Sequence, residues 1–388
     1  MRAHPAARRA RDLAGVLLTT AALAGLSAVP AGAAAVRAVP ASVLRGTGVL
    51  NDVTATSAQN AWAVGHFGSL TGPEALIEHW NGRAWRRVAL RPASGWLDGV
   101  AAVSARDVWA VGISGIRPLI LHYDGTAWRR VASPSLPGTR SLLADVTAIS
   151  PHDVWAVGTT GSRALIEHWN GTAWTRVPSP SPGGGAVLSG VSAASARDAW
   201  AVGESQEGPL ALRWNGIVWR QVPISSPRSR LVRVTAISAT QAWATGSAAA
   251  GGILIEHWNG REWRRMPVPA LGDTASLVGV SATSAHNVWA VGDVGVSLAA
   301  HPALAWRASR VAGVAAVRVS AAAPTPLILH WNGKAWTRAS VPVPTAGGEL
   351  IGVRAASGRS AWAVGCTRTF SAARARPLVL RWNGAAWR

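Results

Sequence analysis

Leu143-Ala-Asp-Val146-Thr-Ala148-Ile-Ser150-Pro-His-Asp153-Val-Trp155-Ala-Val-Gly158, followed after a short loop by Ala164-Leu-Ile-Glu-His-Trp169-Asn-Gly171-Thr-Ala-Trp174-Thr-Arg-Val177, is the stretch that decides the fold. From Leu143 to Ser150 apolar and polar side chains alternate, the period-2 pattern of a strand with one buried face. Ser150-Pro-His-Asp153 is built of turn formers. Val154 to Gly158 is too short and too β-branched for a helix and reads as a buried second strand. Ala164 to Trp169 is a third. Asn170-Gly171 between apolar runs predicts a tight hairpin of type I′, and Trp174 to Val177 is the returning fourth strand. Four antiparallel strands cannot cover both of their own faces, so neighbouring units must do it.

The unit recurs. Trp-Ala-x-Gly begins at Trp62, Trp109, Trp155, Trp200, Trp243, Trp289 and Trp362, with steps of 47, 46, 45, 43, 46 and 73 residues. A hairpin dipeptide follows each one, at Asn81, Asp124, Asn170, Asn215, Asn259, Asn332 and Asn383, each before glycine. A Leu-x-x-Val lead-in precedes each, from Leu50, Leu97, Leu143, Leu188, Leu231, Leu277 and Leu350. Four strands per mid-forties period is the signature of propeller blades. The expected fold is all-β, a β-propeller of seven four-stranded antiparallel blades. The alternative is eight, with one degenerate blade in the stretched sixth unit, about 293–323, where Gly313-Val-Ala-Ala-Val317 resembles a first strand.

Of 22 tryptophans, 20 occupy three repeat positions, so tryptophan is architecture first. Residues 47–388 are read as one propeller domain, since a ring of repeats is one domain of any length. Residues 1–33 read as a signal peptide: Arg2, Arg8, Arg9 and Arg11, then the apolar run Leu13 to Val29, then Ala31-Gly32-Ala33. The expected localisation is therefore secreted, by a general or a twin-arginine export route, with no later membrane span. Residues 34–46 form a lead segment. Within it Val36 to Pro40 resembles a fourth strand and is expected beside the 378–388 hairpin, because the last repeat stops at Arg388 before its own fourth strand is complete.

Beyond the leader, 34 basic side chains face 17 acidic ones, and Lys334 is the only lysine. That bias, with much alanine, glycine and proline, matches a GC-rich bacterial genome. A basic surface favours anionic partners such as an acidic cell-surface glycan, a cell-wall polymer or a phospholipid surface, and a protein partner is a further expectation. Nucleic acid is disfavoured by export and by the burial expected of the aromatics. With Cys366 alone, no internal disulfide forms, and stability rests on ring packing.

Val-x-Ala-x-Ser, Asp-Val-Trp-Ala-Val and Gly-Thr-x-Trp-x-x-Val, as they stand in residues 146–177, resemble tectonin-type propeller repeats. They are similar as well to the photosystem-assembly-factor and Asp-box propellers, and more distantly to kelch and WD-repeat propellers. The tectonin resemblance implies carbohydrate or cell-surface recognition; the assembly-factor resemblance implies a scaffold for protein assembly. The repeat lacks the kelch double glycine and puts Trp-Asn-Gly where an Asp-box has Ser-x-Asp, so neither of those families' functions transfers.

For chemistry, His79, His122, His168, His257 and His330 hold one position in five blades, with Arg213 and Arg381 in the other two. One histidine per blade is expected to bond within its own blade, because ligands of a single metal ion must converge. Asp107, Asp153 and Asp198, with Asn60 and Asn287, are expected as turn caps. The chain has no His-Glu-x-x-His, no Gly-x-Ser-x-Gly and no phosphate loop; its one tyrosine, Tyr123, merely replaces a tryptophan in a hairpin where a sialidase-like centre pairs a tyrosine with a carboxylate, and a copper-radical centre needs two tyrosines. No catalytic residue, cofactor or metal is expected.

Recognition is placed on the rim made by loops after second and fourth strands, since loops vary while the scaffold holds them. Its candidate binding residues are Arg117, Arg140, Arg163, Glu204, Glu207, Arg228, Arg230, Asp293, Arg374 and Arg376, with His66, Gln206 and Asp273 in the same loops. The function read from the sequence is a non-catalytic binding scaffold. The alternative is a polysaccharide-active enzyme of lyase or glycosidase type, whose sign would be a funnel holding two carboxylates within reach of each other.

Overall fold

The structure, a computed structural model, describes residues 42–69, 72–90, 94–134, 138–249, 251–272, 274–295, 323–367 and 375–388. Seven four-stranded antiparallel sheets form the blades of a β-propeller, and among the described residues there is almost no helix. Blade III shows the plan. Ser141–Ser150 is its inner strand, followed outward by Asp153–Thr160, Arg163–Trp169 and Trp174–Arg176. The inner strands of the other blades are Val49–Ser57 (I), Trp96–Ser104 (II), Ala186–Ser195 (IV), Arg230–Ser238 (V), Ala275–Ser284 (VI) and Glu349–Ser357 (VII).

In blade VI the second strand, Asn287–Val294, pairs directly with the third, Thr325–Trp331. The insertion therefore lies between two strands of one blade and adds no eighth; residues 296–322 themselves fall outside the described set, as do Val36 to Pro40. Blade VII has a composite outer strand. Its third strand, Arg376–Trp382, pairs with Trp387 and Arg388 at one end and with Ser42–Val43 at the other. Leu44 and Gly48 extend that junction by donating their N–H groups to Pro377 and Ala375.

Each inner strand carries a bulge one residue after its leucine, as between Leu143 and Asp145. There the backbone closes on the glycine of Trp-Ala-x-Gly: a Cβ on Gly158 would lie 2.0 Å from the Leu142 carbonyl oxygen, and the other six motif glycines meet the same obstacle. That contact explains the glycine in every copy. The hairpin differs from the type I′ expectation. It is a four-residue loop in which Trp169 pairs with Trp174, and only glycine, Gly171, has positive φ. The asparagine earns its place through its side chain, whose oxygen accepts the N–H of Thr172 and of Ala173, an Asx turn.

The core sits mainly between blades, in clusters that join two neighbours, and a smaller cluster of Val232, Val278 and Ile351 joins blades V, VI and VII near the axis. Trp109 of blade II meets Trp174 of blade III edge to face, with centroids 5.4 Å apart, and the same pairing recurs around the ring. Tryptophans at the third position donate their indole N–H to a turn carbonyl, as Trp169 does to Pro151. The tryptophans of the second strands and those that follow the hairpins have no oxygen acceptor. Their edge-to-face geometry supplies the aromatic contact that substitutes for one. Among the described residues, no helix is long and apolar enough to cross a membrane.

Candidate functional site

The repeated polar residues serve their own blades. His122 bonds Asp107 at 2.9 Å, His168 bonds Asp153 at 2.8 Å, and His257 and His330 bond Gln241 and Asn287 at 2.8 Å. Each ring lies against the motif tryptophan of the same blade, 4.0 Å between centroids for Trp62 and His79. Arg213 takes the histidine's place on Asp198 at 2.8 Å and over the Trp200 ring. Asp107, Asp153 and Asp198 thus lock second strand to third. The turns they were expected to cap are held by serines instead: Ser104 and Ser150 accept the N–H two residues on. Among the described residues, no three His, Cys, Asp or Glu side chains converge as a metal site.

On the loop rim, Arg117, Arg163, Glu207, Arg228 and Arg376 are exposed, and Arg140, Glu204 and Arg230 are half-buried. Glu204 and Arg230 are brought together across the joint between blades IV and V, at 2.7 Å. Nearby Arg228, at φ 59°, is the one non-glycine residue with positive φ among those described. Asp293 does not present itself on the rim. It is fully buried and accepts the Ser276 hydroxyl at 3.0 Å, because its position on the second strand faces the inner strand of the same blade. Arg374 and Asp273 lie outside the described residues. His66 stacks on Trp96 at 3.8 Å, and burial pushes its imidazole down to about 4.

The hub is where the structure adds most. A cavity of about 230 Å³ runs along the axis, lined by Asp52, Thr54, Asp145, Thr147, Ser192, Arg233, Thr235, Ser281 and Arg354. At its loop end Asn51, Asp98, Ala144, Val232, Val278 and Ile351 are all buried and close it. Towards the turns between first and second strands exposure rises, and Thr56, Thr283 and Ala356 are open. The cavity is a cup that faces away from the loop rim.

Its floor alternates around the ring. The bulge position carries Asp52, Gly99, Asp145, Gly190, Arg233, Gly279 and Gly352 in blades I to VII. The glycines make room: a Cβ on Gly352, Gly99 or Gly190 would lie 2.7, 2.8 or 2.9 Å from the Cα of Asp52, Asp145 or Arg233. Both aspartates are clasps. Asp145 accepts the N–H of Val146 and of Val191 in the next blade, each at 2.9 Å, and Asp52 takes Val53 and Val100 in the same way. Arg233 reaches the Ser189 carbonyl and lies 4.0 Å from Asp145. Asp52 keeps a path to solvent through the cup, yet protein surrounds it; burial, then the charge of Asp145, pushes its carboxyl up to about 7 against the pull of Arg233 and the backbone donors.

The same alternation appears on the third strand, where Glu78, Glu167 and Glu256 in blades I, III and V are buried and the other blades carry leucine. Burial raises all three, Glu167 to about 7, against Arg87, Ser133 and Ser225 as partners. The sequence reads as a ring with an inert hub, although Leu-x-Asp-Val against Leu-x-Gly-Val in alternate copies marks the axis.

The chain is thus a seven-bladed β-propeller of the kind shared by assembly factors, WD-repeat proteins and some glycosidases. No family profile and no curated protein matches the sequence. Solved structures do match the fold. A YCF48 bound to D1 peptide is 15% identical, with 87% of this chain and 93% of that one covered at TM-score 0.56. The WD40 repeats of RRP9 are 11% identical over 87% and 96%, at 0.57. The GH74 xyloglucanase from Xanthomonas campestris is 12% identical at 0.55, and the match covers 88% of this chain but only 55% of that enzyme. The resemblance to assembly-factor and WD-repeat propellers read from the repeat is present in three dimensions.

Proposed function

We propose that this protein is a secreted, non-catalytic binding scaffold whose loop rim recognises a cell-surface glycan, a wall polymer or a protein. One observation carries the reading: repeated polar groups are consumed inside the blades, while the rim position six residues before the third-strand Trp or Tyr changes its occupant, an exposed Arg117, Arg163 or Arg376 in blades II, III and VII but Glu74, Gly208 or Thr325 in blades I, IV and VI. The guanidiniums of Arg117, Arg163, Arg228 and Arg376 are held by a rigid ring with side chains open to solvent. Arginine forks suit carboxylate and phosphate groups. The YCF48 propeller that binds a peptide has the same overall fold. Export by the N-terminal leader belongs to the same proposal.

A second reading, a polysaccharide-active enzyme, is favoured by the two hub aspartates and by the raised pKa of Asp52. Against it, both carboxylates already hold two backbone N–H groups each, which leaves little freedom for proton transfer or nucleophilic attack. The decisive experiment is retention on isolated cell walls and a glycan array. Replacing Arg117, Arg163, Arg228 and Arg376 by serine is expected to abolish retention. A charge-matched control replacing Arg83, Arg86, Arg106 and Arg129 on the opposite side should keep it. Equal loss in both, or hydrolysis of a polysaccharide that Asp52→Asn removes, overturns the reading.

A further inference from the structure

At the second axis-facing position of the inner strands, six blades carry small residues: Thr54, Ala101, Thr147, Ser192, Thr235 and Ser281. Blade VII carries Arg354, the one long side chain at this level of the cup. It is open to the water in the cup yet enclosed by the surrounding strands, and burial lowers its pKa while Asp52 opposes the shift. Among the described residues it makes no hydrogen bond or ion pair. We propose that the cup is a binding site for a small monocarboxylate, whose charged head is taken by the Arg354 guanidinium.

The other charges leave that role to Arg354. Asp52 and Asp145 hold backbone N–H groups, and Arg233 is engaged with Ser189 beside Asp145. With Arg233 engaged beside Asp145, Arg354 is the cation that remains to face one entering negative charge, whereas a dianion would meet both aspartates without a second free cation. The wall supplies donors. The Ser192 and Ser281 oxygens already accept the N–H groups of Ala236 and Ala355, which leaves their hydroxyl hydrogens to donate to a ligand. No aromatic side chain lines the cup, so a stacked sugar has no platform there, and about 230 Å³ holds an acid of only a few carbons. The cup lies opposite the loop rim and is independent of the recognition proposed for it.

The test is calorimetry and thermal unfolding of the full chain with propionate, its neutral isostere propionamide, and inorganic phosphate. Propionate is expected to bind saturably by calorimetry and to raise the melting temperature with its concentration, propionamide to have no effect, and phosphate to bind more weakly. Arg354→Ser, which places in blade VII a side chain that blades IV and VI already carry, should weaken propionate at least tenfold. Arg220→Ser on the outer strand of blade IV should leave it within twofold. Protection of Arg354 from phenylglyoxal by propionate, read by mass spectrometry, tests the contact without any substitution. No saturable propionate response, an unchanged response in Arg354→Ser, tighter binding of phosphate, or unprotected Arg354 each overturns the assignment.

Discussion

Asp145 accepts the N–H of Val191 across the joint between blades III and IV, at 2.9 Å, while its other oxygen holds Val146 in its own blade. One carboxylate therefore fixes the spacing of two inner strands at the axis, where the blades come closest. Removing it leaves two buried donors without an acceptor, and Arg233 loses the nearest opposite charge. Asp145→Ala is expected to lower stability by about 3 kcal/mol, and Asp145→Asn, which keeps one acceptor oxygen, by about half as much. Urea unfolding checks this. A loss below about 0.5 kcal/mol for the alanine variant would show that the clasp is not structural.

Gly158→Ala puts a methyl group 2.0 Å from the Leu142 carbonyl oxygen, which a backbone atom cannot avoid without opening the bulge. The expected destabilisation is about 3 kcal/mol. Gly184→Ala serves as the comparison: its φ of +78° disfavours alanine, but no atom lies within 4 Å of the new Cβ. It should be several-fold milder. Equal thermal shifts for the two would refute the close-approach argument.

The buried acids make stability depend on pH with a definite sign. Asp52 and Glu167 have folded-state values near 7, above their ordinary values of 3.8 and 4.5, so the native state holds protons that the unfolded chain releases. Their contribution is favourable below pH 4 and is lost as pH rises towards 7, after which it stays flat. Asp52→Asn and Glu167→Gln should therefore gain stability relative to the parent between pH 4 and 7. A difference that is constant across this window would contradict the shifts. His66, held down at about 4, acts oppositely and weakens the fold as pH falls below 6.5.

Ring closure rests on few bonds. Leu44 donates to Pro377 at 3.0 Å and Gly48 to Ala375 at 2.8 Å, beside the two-residue pairing of Ser42–Val43. A chain beginning at Val49 loses all of them and bares the edge of Arg376–Trp382. It should unfold about 3 kcal/mol more easily and self-associate through that edge, as light scattering would detect. A monomer with unchanged melting would show that Trp387 and Arg388 close blade VII alone.

The repeat, the strand order within a blade and the seven motif tryptophans were legible because period-2 alternation and turn chemistry act over a few residues. So was the histidine on five of the third strands, which finds its partner fifteen to forty-three residues away in its own blade. The hairpin was placed correctly but given the wrong backbone, since the asparagine works through its side chain and not through positive φ. Asp293 looked like a loop acid and proved to be buried, because the second strand runs on to Val294 and pairs Asp293 with Ser276 of the inner strand.

The sequence alone settled that identical small sheets must stack, because each carries apolar residues on both faces and cannot hide them unaided. It could not settle what gathers at the axis. Asp52, Asp145, Arg233 and Arg354 are spread over some three hundred residues of chain, and only closure of the ring brings them around one cup. Burial and mutual charge, which set their properties, are consequences of that closure and of nothing local to any one of them.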